Sequence, residues 1–266
     1  MFFNRKKMAE KLRIARSTLY YESKKEEKDE EEKLKIQEIM DSNPSYGHRR
    51  IALALSCNKK KALRLMNKFG LKPKISRNRR WIKKGDLKLP EAIYKNEIVG
   101  TEINEPDIAW TADFTYIRYK TSFIYLATIL DIFTKEIIGF SISKWHNGYL
   151  VKSAIDDAIR KRGRLPRYLH TDQGSEYRAE IHADYLISLG VIVSMSQKSS
   201  PWQNGEQESF YSQFKLELGN VNRFESEGEL CEAIYRQIYY YNHFRIHTAI
   251  KMAPVRFYEL AVSGRN

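Results

Sequence analysis

Apolar positions recur along this chain with two different periods. Leu34, Ile36, Ile39 and Met40 follow a helical spacing that stops at Asn43-Pro44, because the residue before a proline disfavours the helical region and the ring cannot extend the hydrogen bonding. A turn through Ser45-Tyr46-Gly47 comes next, and Ile51, Ala52 and Leu55 then share one side of a second helix. Asn58 stands where a third helix needs its cap, and Ala62, Leu65, Met66 and Phe69 recur until Gly70 closes it. Beyond residue 106 the pattern becomes that of strands. Residues 108–119, 122–130 and 136–142 are rich in Ile, Tyr, Phe and Thr and are split by Lys120-Thr121 and Phe133-Thr134-Lys135, which predicts a three-stranded antiparallel meander. A helix over 149–161, a strand over 168–170, a helix over 179–189 and a strand over 191–194 follow, and a last helix opens near Ser200-Pro201. The order β-β-β-α-β-α-β-α describes an α/β core behind a helical N-terminal region.

On this reading the chain divides into a helical segment and charged linker (1–33), a helix-turn-helix-like unit (34–71), a basic linker (72–105), the α/β core (106–225) and a C-terminal helix and tail (226–266). Residues 12–21 have the content of a short helix-turn-helix fragment, a weak signal alone. Residues 22–33 carry seven acids and four bases and are the solvated start of a helix or a linker. Pro73, Pro90 and many bases without sustained period mark 72–105 as a linker able to lie along a polyanion.

Charge sharpens that last point. The chain carries 46 Lys and Arg against 33 Asp and Glu, a net +13, and residues 59–88 alone hold 13 bases against the single acid Asp86. A solvated face normally mixes signs, so this stretch reads as a phosphate-contacting surface whose binding falls with salt. Lys59, Lys60, Lys61, Arg64, Arg77, Arg79 and Arg80 are the candidate DNA contacts. The three lysines crowd the first turn of the third helix, where the macrodipole disfavours cations and an external anion would relieve them. A structural bundle with a solvated lysine face is the competing reading. Cys57 and Cys231 match no metal or redox spacing and are expected to be reduced thiols in a cytoplasmic, nucleoid-associated protein. No apolar run reaches the ~20 residues that span a bilayer, and residues 1–7 lack the apolar centre of a signal peptide.

The chemistry is expected from carboxylates. Asp113 falls inside the first strand among Trp110, Ala112 and Phe114, a costly place for a charge unless a cation or donor meets it. Asp172 follows the fourth strand, and if the first and fourth strands are neighbours the two converge. Glu208, within the first two turns of the last helix, can complete the group, with Ser200-Pro201-Trp202-Gln203 as its capping segment. Three carboxylates without Cys or His suit Mg²⁺ or Mn²⁺, and two such ions about 3.5–4 Å apart would stabilise both oxygens of an in-line displacement at phosphorus. Lys215, two turns after Glu208, shares its helix face and is a candidate phosphate contact.

Three segments carry a resemblance: Trp110-Thr111-Ala112-Asp113-Phe114-Thr115, His170-Thr171-Asp172-Gln173-Gly174-Ser175-Glu176-Tyr177, and Asn204-Gly205-Glu206-Gln207-Glu208-Ser209-Phe210. Together they resemble the retroviral-integrase-type core of bacterial insertion-sequence transposases, with 35 residues between Asp172 and Glu208 as in that family and Lys215 at its basic position. Tyr46-Gly47-His48-Arg49-Arg50-Ile51 and Arg64-Leu65-Met66 resemble the preceding helix-turn-helix region. Tyr240-Tyr241-Asn242, Arg245, His247 and Ala253-Pro254-Val255 resemble the C-terminal signature of the downstream-frame product of the third insertion-sequence family. The resemblance implies an RNase H-like fold and a copy-out, paste-in reaction in which a freed 3′-hydroxyl attacks a phosphodiester without a covalent enzyme intermediate. Its implied partners are the terminal repeats and target DNA, a second copy of the chain, and an upstream-frame fusion. Glu176, Arg178 and Ser199-Ser200-Pro201-Trp202 depart from the family pattern.

A metal-dependent nuclease of the same fold and an inactive DNA-binding relic are the alternatives. His243 and His247 share an expected helix face but lack the glutamate of a metalloprotease motif. Asp131 is expected to close a strand, Asp156 and Asp157 to lie on an exposed helix, and the tyrosines between 235 and 241 mostly to pack.

Overall fold

Five strands build one sheet in the order β3-β2-β1-β4-β5: β1 (Ala109–Tyr119), β2 (Ser122–Asp131), β3 (Ile137–Ser143), β4 (Tyr168–Thr171) and β5 (Ile192–Met195). The structure is a computed structural model that describes residues 5–15, 17–18, 25–75, 94–172, 180–196 and 205–264. The first three strands form the expected antiparallel meander, and β4 and β5 join parallel to β1 and to each other. Helices α5 (Gly148–Arg162) and α6 (Glu180–Ser188) make the crossovers that parallel pairing requires.

Alternation along the strands loads both faces. Trp110, Ala112, Ala127 and Ile129 pack with Leu150, Val151, Ala154, Ile155 and Ala158 of α5. Residues of opposite parity, Ile117, Ile124, Leu126 and Leu130, pack with Phe210 and Phe214 of α7 (Gly205–Leu218) and with Leu230, Ile234 and Ile238 of α8 (Glu227–His243). Asp113 has the parity of Ile117 and so belongs to the α7 side. Helix α5 lies against β3 at Gly139, where an added Cβ would come within 2.4 Å of the Ala154 carbonyl and 2.5 Å of the Ala158 nitrogen.

The N-terminal unit consists of α2 (Lys25–Ser42), α3 (His48–Ala54) and α4 (Lys59–Lys68), closed over Ile36, Tyr46, Ile51, Ala62, Leu65 and Met66. Asn58 caps α4, accepting from the Lys60 nitrogen at 2.8 Å, and Gly70 follows its end with φ +66°. A short α1 (Arg5–Leu12) precedes this unit, and residues 16 and 19–21 of the expected N-terminal fragment lie outside the described residues.

Several expectations need correction. Of the two readings of the charged stretch, helix start or linker, the residues from Lys25 onward follow the first, since α2 begins at Lys25, well before its first apolar repeat at Leu34. Its Asp29 is buried in a clasp: Arg64 donates to both carboxylate oxygens at 2.8 and 2.7 Å, and Lys68 reaches one of them at 2.9 Å. Within the expected linker, Lys95 and Glu97 are fastened along β5, because the Met195 nitrogen donates to the Lys95 carbonyl and the Glu97 nitrogen to Ser194 Oγ. Asp157 is buried rather than exposed, bound by Arg160, Lys161 and the Phe140 nitrogen. Asp131 closes β2 as expected and orders the turn, accepting from the Thr134 nitrogen and hydroxyl and from the Asp107 nitrogen.

The Asp29 clasp makes a pH prediction. Hydrogen bonds from Arg64 and then Lys68 hold its carboxyl far below the ordinary 3.8, so the clasp contributes fully above that value and is lost as the pH falls below it. Asp29→Asn is expected to lower the melting temperature at pH 7, with the gap to the parent shrinking in melts at progressively lower pH under 3.8. A gap that stays constant into strong acid would contradict the clasp.

Candidate active site

The β1–β4 register pairs Ala109 with Tyr168, Trp110 with Leu169 and Thr111 with His170, and carried forward it sets Asp113 opposite Asp172. Two carboxylates 59 positions apart in sequence therefore meet where the C-terminal end of β4 reaches the middle of β1. Their proximity is felt at Asp113, whose pKa is pushed up to about 7, first by burial, then by the Asp172 charge, with Glu208 adding to it. The Phe114 nitrogen donates to Asp113 Oδ1 at 2.8 Å and, with Lys215, partly offsets that rise.

Helix α7 brings the third carboxylate by means of two residues that the sequence reading passed over. Gln207, fully buried, donates through Nε2 to the carbonyls of Thr111 (2.8 Å) and Thr128 (3.2 Å). Its Oε1 accepts from Thr128 Oγ1 at 3.0 Å. One turn on, the Tyr211 hydroxyl donates to the Asp113 carbonyl at 2.7 Å and stands 2.7 Å from Thr128 Oγ1. Burial and the Asp113 charge raise the pKa of that phenol well above its usual value, so it stays a neutral donor. Gln207 and Tyr211 pin α7 over the β1–β2 pair at the level of Asp113, and Glu208, next to Gln207, is exposed there. The only advance signal was their spacing of four beside the expected glutamate.

Lys215 lies on the same side, its Nζ 5.0 Å from the centroid of the Tyr116 ring. Burial lowers its pKa and Asp113 opposes that drop, so an ammonium faces the acidic group. All three acids offer hard oxygen donors, and a divalent cation would offset both the burial that chiefly raises Asp113 and the repulsion from Asp172 and Glu208 that adds to it, so the donor chemistry fits such an ion. Among the described residues no three His, Cys, Asp or Glu side chains are gathered tightly enough to hold one metal ion. Residues 173–179 and 197–204, which adjoin Asp172 and lead into α7, lie outside the described residues, as does the expected capping segment.

Similarity to known proteins accords with this geometry. Residues 103–201 match one integrase core domain family and residues 189–254 a second. The chain is 34% identical over 207 residues to the transposase for insertion sequence element IS904 of Lactococcus lactis subsp. lactis, a match covering 76% of this chain and 80% of that protein. It is 30% identical over 256 residues to the putative transposase InsK for insertion sequence element IS150 of Escherichia coli, covering 92% and 89%. The chain belongs to the insertion-sequence transposases of the IS3 family. As such it is an enzyme of DNA transposition built on an integrase core. Among solved structures, the HTLV-2 integrase catalytic core domain in complex with magnesium superposes with a TM-score of 0.50 at 19% identity, over 58% of this chain and 97% of that one. The simian T-cell lymphotropic virus intasome in complex with PP2A regulatory subunit B56 gamma gives 0.52 at 16%, over 84% and 74%. Both share the RNase H-like fold of the enzyme's α/β core.

The remaining site residues sort differently. On α4, Lys59 and Lys60 are exposed, whereas Lys61 pairs with Glu32 at 2.9 Å and Arg64 with Asp29. Arg77, Arg79 and Arg80 lie outside the described residues. His243 and His247 do not share a helix face, since α8 ends at His243 and His247 sits in a turn bridged to Met252. Burial lowers the His247 pKa to about 4. Of the tyrosines on α8, Tyr241 is buried and its hydroxyl donates to the Lys135 carbonyl, Tyr240 reaches Asn43, and Tyr235 and Tyr239 are exposed. Among the described residues no helix is long and apolar enough to cross a membrane.

Proposed function

We propose that Asp113, Asp172 and Glu208 jointly hold two divalent cations, Mg²⁺ or Mn²⁺, and that the enzyme cleaves and rejoins DNA at the ends of its own insertion sequence. When bound, such ions neutralise charge on the phosphodiester and stabilise the attacking and leaving oxygens of an in-line displacement. The observation that carries this reading is the register that sets Asp113 opposite Asp172 while Gln207 and Tyr211 fasten the Glu208 helix above them. Asp113 is held in place by its own strand and the Phe114 nitrogen, and a bound cation would draw the other two carboxylates, not gathered tightly enough in its absence, toward it. Lys215 offers an ammonium beside the acids, suited to a non-bridging phosphate oxygen of the attacked bond. A 3′-hydroxyl supplied by the DNA is the nucleophile, and no side chain here is assigned a covalent role.

The basic run of 59–88 is the second part of the proposal. Lys59 and Lys60, with Arg77, Arg79 and Arg80, hold the DNA backbone while the core acts, whereas Lys61 and Arg64 are engaged by Glu32 and Asp29. Joining two element ends calls for more than one copy of the chain, so a homo-oligomer on the terminal repeats and target DNA is the proposed working form, alone or fused to an upstream-frame product. Purified full-length protein incubated with Mg²⁺ and DNA carrying its element ends is expected to give joined or circularised products. Cleavage without joining would replace this reading with a nuclease, and binding without either would leave a relic.

A further inference from the structure

We propose that a cleft shared by the N-terminal helical unit and the C-terminal segment seats a DNA backbone, with Arg49, Lys59 and Lys251 receiving its phosphates. This rests on the reading of the enzyme as one that acts on DNA. The cleft, about 570 Å³, is lined on one side by residues of α3 and α4, including Arg49, Leu53, Asn58 and Lys59, and on the other by Thr248 and Lys251. Every charged residue lining it is a cation. That contrasts with Lys61, Arg64 and Lys68 farther round α4, which are engaged by Glu32 and Asp29. The lysine of α4 turned toward the cleft thus joins two cations brought from elsewhere in the fold, and the complementary ligand is a polyanion.

Two observations show that this cleft is built rather than incidental. Its walls are pinned together: Arg50 Nε donates to the Ile246 carbonyl at 3.0 Å, and the Ile246 nitrogen donates to the Tyr46 hydroxyl at 2.7 Å. The two backbone walls that carry the cations are therefore held together before any ligand arrives. Lys251 itself sits at φ +61° in the turn closed by the His247–Met252 bridge, a left-handed conformation that glycine adopts freely and other residues at a cost. The cost puts an exposed cation at the rim of the cleft.

Lys251→Gly is a test in which loss of binding cannot be ascribed to damage, since the substitution eases the backbone. The full chain in chelator, titrated with fluorescent duplex DNA over a range of salt, should show a log–log slope smaller by about 1 for Lys251→Gly and again for Arg49→Gln. The melting temperature of Lys251→Gly should equal or exceed the parent's. Thr248→Glu, which puts a carboxylate inside the cleft, should weaken the same duplex. Parent-like slopes in both charge variants, or parent-like affinity in Thr248→Glu, would overturn the seat. Strand joining by the unmodified enzyme with Mg²⁺ is scored separately, so failure of the seat and failure of the transposition chemistry are distinguishable.

Discussion

Asp113→Asn is expected to lower strand joining by about 10³-fold or more while its gel-shift binding of element ends matches the parent's. The magnitude follows from charge. Removing a single preorganised donor to one developing oxyanion costs on the order of 10²–10³ in rate, and here an entire anionic ligand position becomes neutral. The substitution is otherwise gentle, because an amide oxygen can still accept from the Phe114 nitrogen and the strand pairing with Thr128 does not involve the side chain. Binding is spared because the basic residues of the N-terminal unit lie on other elements. Joined product counted on gels against free ends reads the first effect and mobility shift the second. Parent-like joining would remove Asp113 from the chemistry.

Arg245→Met is expected to destabilise the fold by about 3–5 kcal/mol, the usual cost of stranding one member of a buried ion pair. Arg245 is 2% exposed and donates to Glu217 at 2.9 Å and to Gln213 at 3.1 Å. Glu217 also accepts from Ser45 at 2.6 Å and from Gln237 at 2.9 Å, so it joins the N-terminal unit to α7 and α8. Without the guanidinium the carboxylate keeps only neutral hydrogen-bond donors, Ser45 and Gln237, and the nearby charge of Arg50. Thermal melts should show a drop of roughly 10 °C, at about 2–4 °C per kcal/mol for a chain of this size. The double variant Arg245→Met, Glu217→Leu should recover much of it, since no buried charge is left unpaired. A single variant within about 1 kcal/mol of the parent would mean that water reaches Glu217.

The core was legible because its signals are local and periodic. β-branched and aromatic runs gave the strands, and Asp113 inside the first strand and Asp172 after the fourth could be brought together once β1 and β4 were taken as neighbours. What the sequence concealed depends on partners distant along the chain. Nothing near Glu217 announces that it meets Ser45, and nothing near Asn242 announces that its amide grips both backbone groups of Ile137. Asp29 looked like one acid in a solvated run because its clasping cations lie on a different helix. Asp157 looked exposed because the Phe140 nitrogen that it accepts from belongs to β3. Gln207 was hidden differently: it sits inside a recognisable motif, yet its work is to anchor α7 on two strand carbonyls so that its neighbour Glu208 can serve.

The decisive measurement is Mn²⁺ binding to the full-length enzyme, with free metal read by electron paramagnetic resonance, for the parent and for Asp113→Asn, Asp172→Asn and Glu208→Gln. We expect every one of the three variants to lose affinity by about 10-fold or more, because even groups that only support a ligand cost that much when removed. A parent-like isotherm in any of them would show that its carboxylate is not a ligand and that the three do not form one site.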